Sequence, residues 1–229
     1  MKFLHAADLH LDSPLRGLAR YEGAPLEQIR GATRQAFDQL IDLAISERVD
    51  FVLLAGDLYD GDWKDYNTGL YFINCMVKLK QAGIEVFMIS GNHDASSQLS
   101  KSLRLPDNTH LFSPRKAETI CMDALEVAIH GQSFIKGKIT KDLSANYPQA
   151  KAGYFNISLL HTSLNGRQGH DTYAPCTLEG LKQKQYHYWA LGMCISARYL
   201  AKSRGLCFLA ICKVGIFVKV MSRAKDVPW

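Results

Sequence analysis

The sequence predicts an α/β fold, two packed sheets with helices outside, and three observations carry that expectation. Short apolar runs each stop at an acid, an amide or a histidine, long amphipathic segments separate the first of them, and strand-like runs fill the later half. The first strand is expected from Lys2 to Ala7. A long helix follows, from about Leu26 to Arg48, with Leu26, Ile29, Thr33, Phe37, Leu40, Ile41 and Ala44 on one face. Phe51 to Ala55 reads as a buried strand, and Thr68 to Gln81 as a helix that stops before Gly83, a suitable C-cap neighbour. The next strand is Ile84 to Ile89. Shorter strands are expected near His110 to Phe112, Glu118 to Met122, Leu125 to His130, Phe155 to His161 and His187 to Leu191.

Composition narrows the class. A chain of 229 residues with 47% apolar content buries a full core and is most simply one domain. Met1 to Ala7 is too short for a secretory leader, and Leu206 to Val220 is too short for a membrane span and is interrupted by Lys213 and Lys219. Six cysteines without regular spacing read as reduced thiols, so the expected location is cytoplasmic. The net charge of +5 comes wholly from residues 193–229, which hold seven Lys and Arg (Arg198, Lys202, Arg204, Lys213, Lys219, Arg223 and Lys225) against the single acid Asp226. Residues 1–192 carry −1 and show no basic stripe along the sequence.

The polar residues at the strand ends form a chemical set. Open α/β sheets place ligand sites where strands end. Asp8 and His10 are two apart, so on an extended segment both side chains point to one side and grip one cation. Asp57, after the tightly turning Gly56, offers two carboxylate oxygens and bridges two cations, while Asn92 and His161 complete the second ion. Two divalent cations there attract a phosphate and activate water for attack on it. Mixed imidazole and oxygen donors suit manganese, iron or zinc better than calcium. His93 reads as a proton donor to the leaving oxygen, with Asp94 beside it to orient the ring or adjust its pKa.

Other polar residues carry weaker signals. Asp12, Ser13 and Arg16 line the mouth of the site or belong to a solvated loop. His5, His110 and His187 read as structural. His130 and the pair His170-Asp171 are expected in loops, facing substrate or simply polar. Tyr186, Tyr188 and Trp189 read as core, and Cys176 has no nucleophile setting.

The set Asp8-x-His10, Gly56-Asp57, Gly91-Asn92-His93-Asp94 and His161 resembles the calcineurin-like metallophosphoesterase superfamily. The flanking residues, Ala7 to Leu15 and Gly56 to Asp60, are similar to its SbcD-type DNA repair exonuclease branch, particularly the bacterial YhaO-like members. The resemblance runs from residue 1 to about residue 192. It implies a four-layer αββα sandwich and two divalent ions, best Mn2+, with Mg2+, Fe2+ or Zn2+ as alternatives. It also implies a DNA substrate, exonuclease and endonuclease activity, and a long coiled-coil SbcC-like ATPase as partner; a homodimer stays open.

Two positions depart from that pattern. Asp60 stands where eukaryotic and archaeal members of the nuclease branch often have a histidine. The family also closes its site with Gly-His-x-His, whereas here Tyr188 to Gly192 is followed by Met193-Cys194-Ile195-Ser196. With Gly192 encoded GGC, its last base and the ATG of Met193 begin a CAT codon in the neighbouring frame. Permitted codons in that frame read histidine at positions 193 and 195, then segments resembling the family's Pro-Gly-Asn and Gly-Arg-His. One lost base is the expectation: residues 1–192 form the metallophosphoesterase domain, and 193–229 are an out-of-frame tail that replaces its end and leaves the sheet incomplete. Two readings stay open beside an impaired phosphodiesterase. One is a phosphatase or cyclic-nucleotide phosphodiesterase with the same metal core; the other is a truncated product without catalysis.

Overall fold

The computed structural model describes residues 1–13, 26–60, 65–96, 103–164, 173–192, 198–203, 206–210 and 219–222. Side chains are described for residues 1–13, 31–60, 65–96, 103–164 and 173–192. Two sheets pack face to face. The first has the order β11-β1-β2-β3-β4, built from β1 (Lys2–Ala6), β2 (Phe51–Ala55), β3 (Glu85–Ile89), β4 (Thr109–Leu111) and β11 (Lys219–Ser222). The second has the order β5-β6-β7-β8-β10-β9, from β5 (Glu118–Met122), β6 (Val127–Gly131), β7 (Phe155–His161), β8 (Tyr188–Gly192), β9 (Arg198–Ser203) and β10 (Leu206–Ala210). Strands β1 to β4 are mutually parallel, as are β6, β7, β8 and β10.

Alternation along the strands divides the core into layers. Phe3, Phe51, Leu53, Phe87 and Ile89 point from the first sheet toward Val127, Ile129, Ile157, Leu159 and Tyr188 of the second. The outer face of the first sheet, through Leu4, Val52, Leu54 and Val86, is covered by α1 (Leu26–Ser46) and α2 (Tyr66–Gln81). Phe37, Leu40, Ile41 and Ala44 of α1 are buried there, the face that the helical spacing predicts. Helix α2 starts at Asp65, whose side chain accepts from the Asn67 backbone N–H, and ends beside Gly83 at φ +72°, a left-handed C-terminal stop. Leu160, Trp189 and Leu191 on the outside of the second sheet pack under loops and α4 (Leu178–Gln183). Tyr186, Tyr188 and Trp189 are fully buried, as expected of core residues. No helix among the described residues is long and apolar enough to cross a membrane.

The backbone of residues 198–203, 206–210 and 219–222 departs from the expectation of an uncompleted sheet. β10 adds to β8 in parallel, β9 pairs antiparallel with β10, and β11 pairs antiparallel with β1. The physical reason is local: an unpaired strand edge accepts any apolar, strand-forming run, and Leu206-Cys-Phe-Leu-Ala210 is one.

Candidate metal centre

The parallel register delivers β1, β2, β3, β7 and β8 to one rim, and the predicted site residues lie there. Asp8 and His10 follow β1, Asp57 follows β2, and His161 ends β7 opposite Gly192 of β8. Asn92, His93 and Asp94 open the short helix α3 (Asn92–Ser96) just after β3.

The segment after β1 is not extended. Asp8 (φ 53°), His10 (φ 43°) and Asp57 (φ 53°) all occupy the left-handed region, a costly conformation that the surroundings must enforce. Enforcement comes from backbone bonds between the two loops: Asp8 N–H to Gly56 O at 3.0 Å, His10 N–H to Asp57 O at 3.0 Å, and Leu11 N–H to Leu58 O at 2.8 Å. Asp12 locks the far side. Its buried carboxylate accepts two bonds from Arg34 Nε, at 2.8 and 3.0 Å, and one from the Thr68 hydroxyl at 2.5 Å.

The candidate donors gather in two groups. The donor atoms of Asp8, Asp57 and His161 lie within 4.8 Å of one another, and those of His10, Asp60 and His93 form a second such group. Asp8 nonetheless acts on both groups, since its charge helps to raise His10 as well as His161. Asp57 reaches both: its Oδ2 is 3.2 Å from His161 Nε2 and 3.9 Å from His10 Nε2. Its Oδ1 accepts from the His93 backbone N–H at 3.0 Å. Gly56, at φ +90°, admits this approach, since a Cβ there would stand 2.7 Å from His161 Nδ1.

The donor set fits a cation. His161 is fully buried, and its Nδ1 lies 2.9 Å from the Ala55 carbonyl, to which it donates. Nε2 then faces two acceptors, Asn92 Oδ1 at 3.1 Å and Asp57 Oδ2 at 3.2 Å. A neutral ring presents a bare nitrogen to both oxygens, so either a proton or a metal ion must sit among them. Burial pushes the His161 pKa down, but the Asp57 carboxylate outweighs it and holds the ring up to about 10. Burial raises the Asp57 carboxyl, and His161, His10 and His93 draw it down to about 2. For His10, burial is again opposed, by the Asp60 hydrogen bond and the charges of Asp57, Asp60 and Asp8, and the net shift is upward.

Asp60, rather than Asp94, is the carboxylate beside the His93 ring. Asp60 Oδ1 is 2.7 Å from His10 Nδ1 and 3.4 Å from His93 Nδ1, and its other oxygen accepts from the Ser13 hydroxyl. It thus ties a candidate ligand to the half-exposed His93, whose ring meets that of His10 edge-on at 5.1 Å. Asp94 lies beneath, 3% exposed, accepting from the Gly91 and Tyr59 backbone N–H groups at 2.9 Å each. Burial and the Asp57 charge raise its pKa to about 6 against the pull of the Gly91, Tyr59 and Leu58 amides. The expected orienting contact from Asp94 to the His93 ring is therefore made by Asp60, because Asp94 turns inward to cap two loops. Asp94→Ala should cost about 3 kcal/mol in urea unfolding by stranding those amides. Unchanged stability with slowed turnover would instead return Asp94 to the chemistry.

The remaining candidates sort by environment. Asp12 and Ser13 brace the first loop, while Arg16, His170 and Asp171 lie outside the described residues. His130 is not in a loop; it is buried in β6, 2.8 Å from Thr119 Oγ1 and 3.0 Å from Asn156 Oδ1, and stacked on Tyr186. His5 is buried 3.1 Å from Tyr188 Oη, and His110 stacks on Phe87, both structural as expected. Cys176 is a buried thiol that burial pushes up to about 12. Nothing in the sequence singles out Arg34 and Thr68; only folding brings them to Asp12.

Comparison with known proteins places this arrangement. The model of the calcineurin-like phosphoesterase family matches residues 1–189. The chain belongs to that family. Among calcineurin-like phosphoesterases it is similar to the uncharacterized metallophosphoesterase YhaO of Bacillus subtilis, 35% identical over 195 residues, 84% of this chain and 48% of that one. It is also similar to the DNA double-strand break repair protein Mre11 of Methanopyrus kandleri, 26% identical over 204 residues, 76% of this chain and 43% of the relative. The chain spans less than half the length of either relative. Two solved structures share the fold: a dimetal phosphatase from Danio rerio (TM-score 0.51, 12% identity, 93% of this chain and 87% of that) and the protein TT1561 of Thermus thermophilus (TM-score 0.54, 11% identity, 96% and 97%). The fold class expected for this phosphoesterase, α/β with two packed sheets, is the one observed.

Proposed function

We propose that this calcineurin-like phosphoesterase is a metal-dependent phosphodiester hydrolase of the SbcD-like DNA repair exonuclease branch, impaired in the present chain. The observation that carries the reading is the Asp57 carboxylate, held between His161 Nε2 and His10 Nε2 at 3.2 and 3.9 Å. Asp57 would bridge two divalent cations, one held also by Asp8 and His10 and the other by Asn92 and His161, with manganese the best match to these donors. When bound, the pair supplies Lewis-acid stabilisation of phosphate charge and an activated water. His93 donates a proton to the leaving oxygen, and Asp60 orients its ring. Asp94 holds the loop backbone that carries both.

The DNA assignment is supported by the relatives named as DNA double-strand break repair proteins. DNA is the proposed substrate, and an SbcC-like coiled-coil ATPase and a second copy of the chain are the proposed partners. Impairment follows from the domain boundary, 1–192 against 193–229. Gly192 ends β8 so close to the site that a Cβ there would stand 2.5 Å from His161 Nδ1, which makes the next residues on the chain the natural place for further ligands. The sequence puts Met193 and Ile195 there, as one lost base in the Gly192 codon explains.

Hydrolysis of bis-p-nitrophenyl phosphate at saturating manganese, beside linear duplex DNA and phosphomonoesters, tests the reading. Phosphodiester turnover should depend on manganese. His93→Ala should retain the parent's metal content and lose on the order of 10²–10⁴ in kcat. Loss of metal in that variant would make His93 a ligand, and preference for monoesters would make the protein a phosphatase.

A further inference from the structure

The parallel topology brings two more loops to the metal rim. β4 runs parallel to β3, and β6 parallel to β7, so the segments after Leu111 and after Gly131 leave the sheets on the same side as Asn92 and His161. They are joined to each other: Ser133 N–H donates to Ser113 O at 3.1 Å, and Gln132 Nε2 to Pro114 O at 3.4 Å. They are also joined to the site. Phe134 N–H donates to Ser90 O at 2.9 Å, and its ring meets His161 edge-on at 5.6 Å. Gly137 is so close to α3 that a Cβ would lie 2.5 Å from Ser96 Oγ and 3.4 Å from Asn92 O.

These loops are cationic throughout. Residues 113–117 and 132–141 contain Arg115, Lys116, Lys136, Lys138 and Lys141, all exposed, and neither segment contains an acid. The flanking Glu118 and Asp142 accept from the Ser113 and Ser144 backbone amides. Among the described residues, Arg115, Lys116, Lys136 and Lys141 enter no ion pair. On the opposite rim Lys2 pairs with Glu47, Lys78 with Asp38 and Lys80 with Asp107. Ile135, 60% exposed, projects from the same lip.

A phosphate at the metal centre does not need this second set of charges. A polynucleotide does, because it carries one phosphate per 3.4 Å of each strand, and phosphates beside the scissile one fall outside the metal cluster. Resting on the phosphodiesterase reading, we propose that the two loops form a backbone-binding lip for a nucleic acid strand: Arg115, Lys116, Lys136 and Lys141 take flanking phosphates, and Ile135 lies against a sugar or base. Contacts of this kind position the strand without reading its sequence.

The test is binding of a fluorescently labelled DNA oligonucleotide to the full chain, followed by anisotropy across a salt series. The double variant Arg115→Gln/Lys136→Gln, one cation from each loop, should lower the slope of log K against log[salt] by about two and weaken binding roughly tenfold per lost contact at 0.1 M salt. Arg115→Lys/Lys136→Arg should restore both. Lys78→Gln/Lys80→Gln removes the same charge from the opposite rim and should leave the slope as in the parent. Equal slopes in the lip variant and the parent, equal losses in both Gln variants, or no DNA binding by the parent would overturn the proposal. Lip-dependent binding without manganese-dependent hydrolysis would instead count against the catalytic reading alone.

Discussion

Replacing Met193 and Ile195 with histidine, either by inserting one base in the Gly192 codon or as Met193→His/Ile195→His, should raise manganese-dependent hydrolysis of bis-p-nitrophenyl phosphate by roughly a hundredfold or more. The two positions follow β8 directly, and β8 ends against His161 and the Ala55 carbonyl at the centre of the donor set. One imidazole would serve the Asn92/His161 ion and the other the His10 ion, so both affinities should rise together. Titration with manganese separates the effects: the restored chain should reach full activity at lower metal concentration and with a higher plateau. A folded, metal-loaded variant no faster than the parent would show that the missing ligands lie elsewhere. The nucleotide sequence around codon 192 decides the origin of the tail independently.

The donor set is legible in the sequence because each member ends a short apolar run, a pattern that requires no knowledge of how strands pair. Its backbone conformation is not. Asp8 and His10 look like neighbours on one face of a strand, but β1 stops at Ala6, and both residues stand on left-handed backbone. The same blindness hides the place of Asp60 beside His93. A carboxylate next to a histidine in sequence is the obvious partner for its ring, yet α3 turns Asp94 under the loop while Asp60 arrives from the end of β2. His130 reads as a loop residue because Gly131 follows it; that glycine instead closes β6.

The cationic lip is invisible in the sequence for a different reason. Residues 113–117 and 132–141 are separated by β5 and β6, and in a segment of net charge −1 neither stands out. Only the parallel pairing of β4 with β3 and of β6 with β7 places both at the metal rim. Residues 206–210 and 219–222 show the reverse: the sequence predicts no place for them in the sheets, yet they pair with β8 and β1, since backbone pairing demands little of sequence.

The central claim is that the buried Asp57/His161 group is a cation site, and protonation makes it testable. Without metal, the His161 ring has a pKa held up to about 10, so near neutral pH it carries a proton that bridges to Asp57 and Asn92. A metal ion at Nε2 must displace that proton. The sign follows: affinity should increase as pH rises, by roughly tenfold per unit, until the ring's own pKa is reached. Calorimetric titration of the metal-free chain with manganese, repeated near neutral pH in buffers of different ionisation enthalpy, measures the protons released. The expected result is about one proton per ion bound at this site, abolished together with binding in Asp57→Asn. Binding without proton release, or undiminished in Asp57→Asn, would contradict the account.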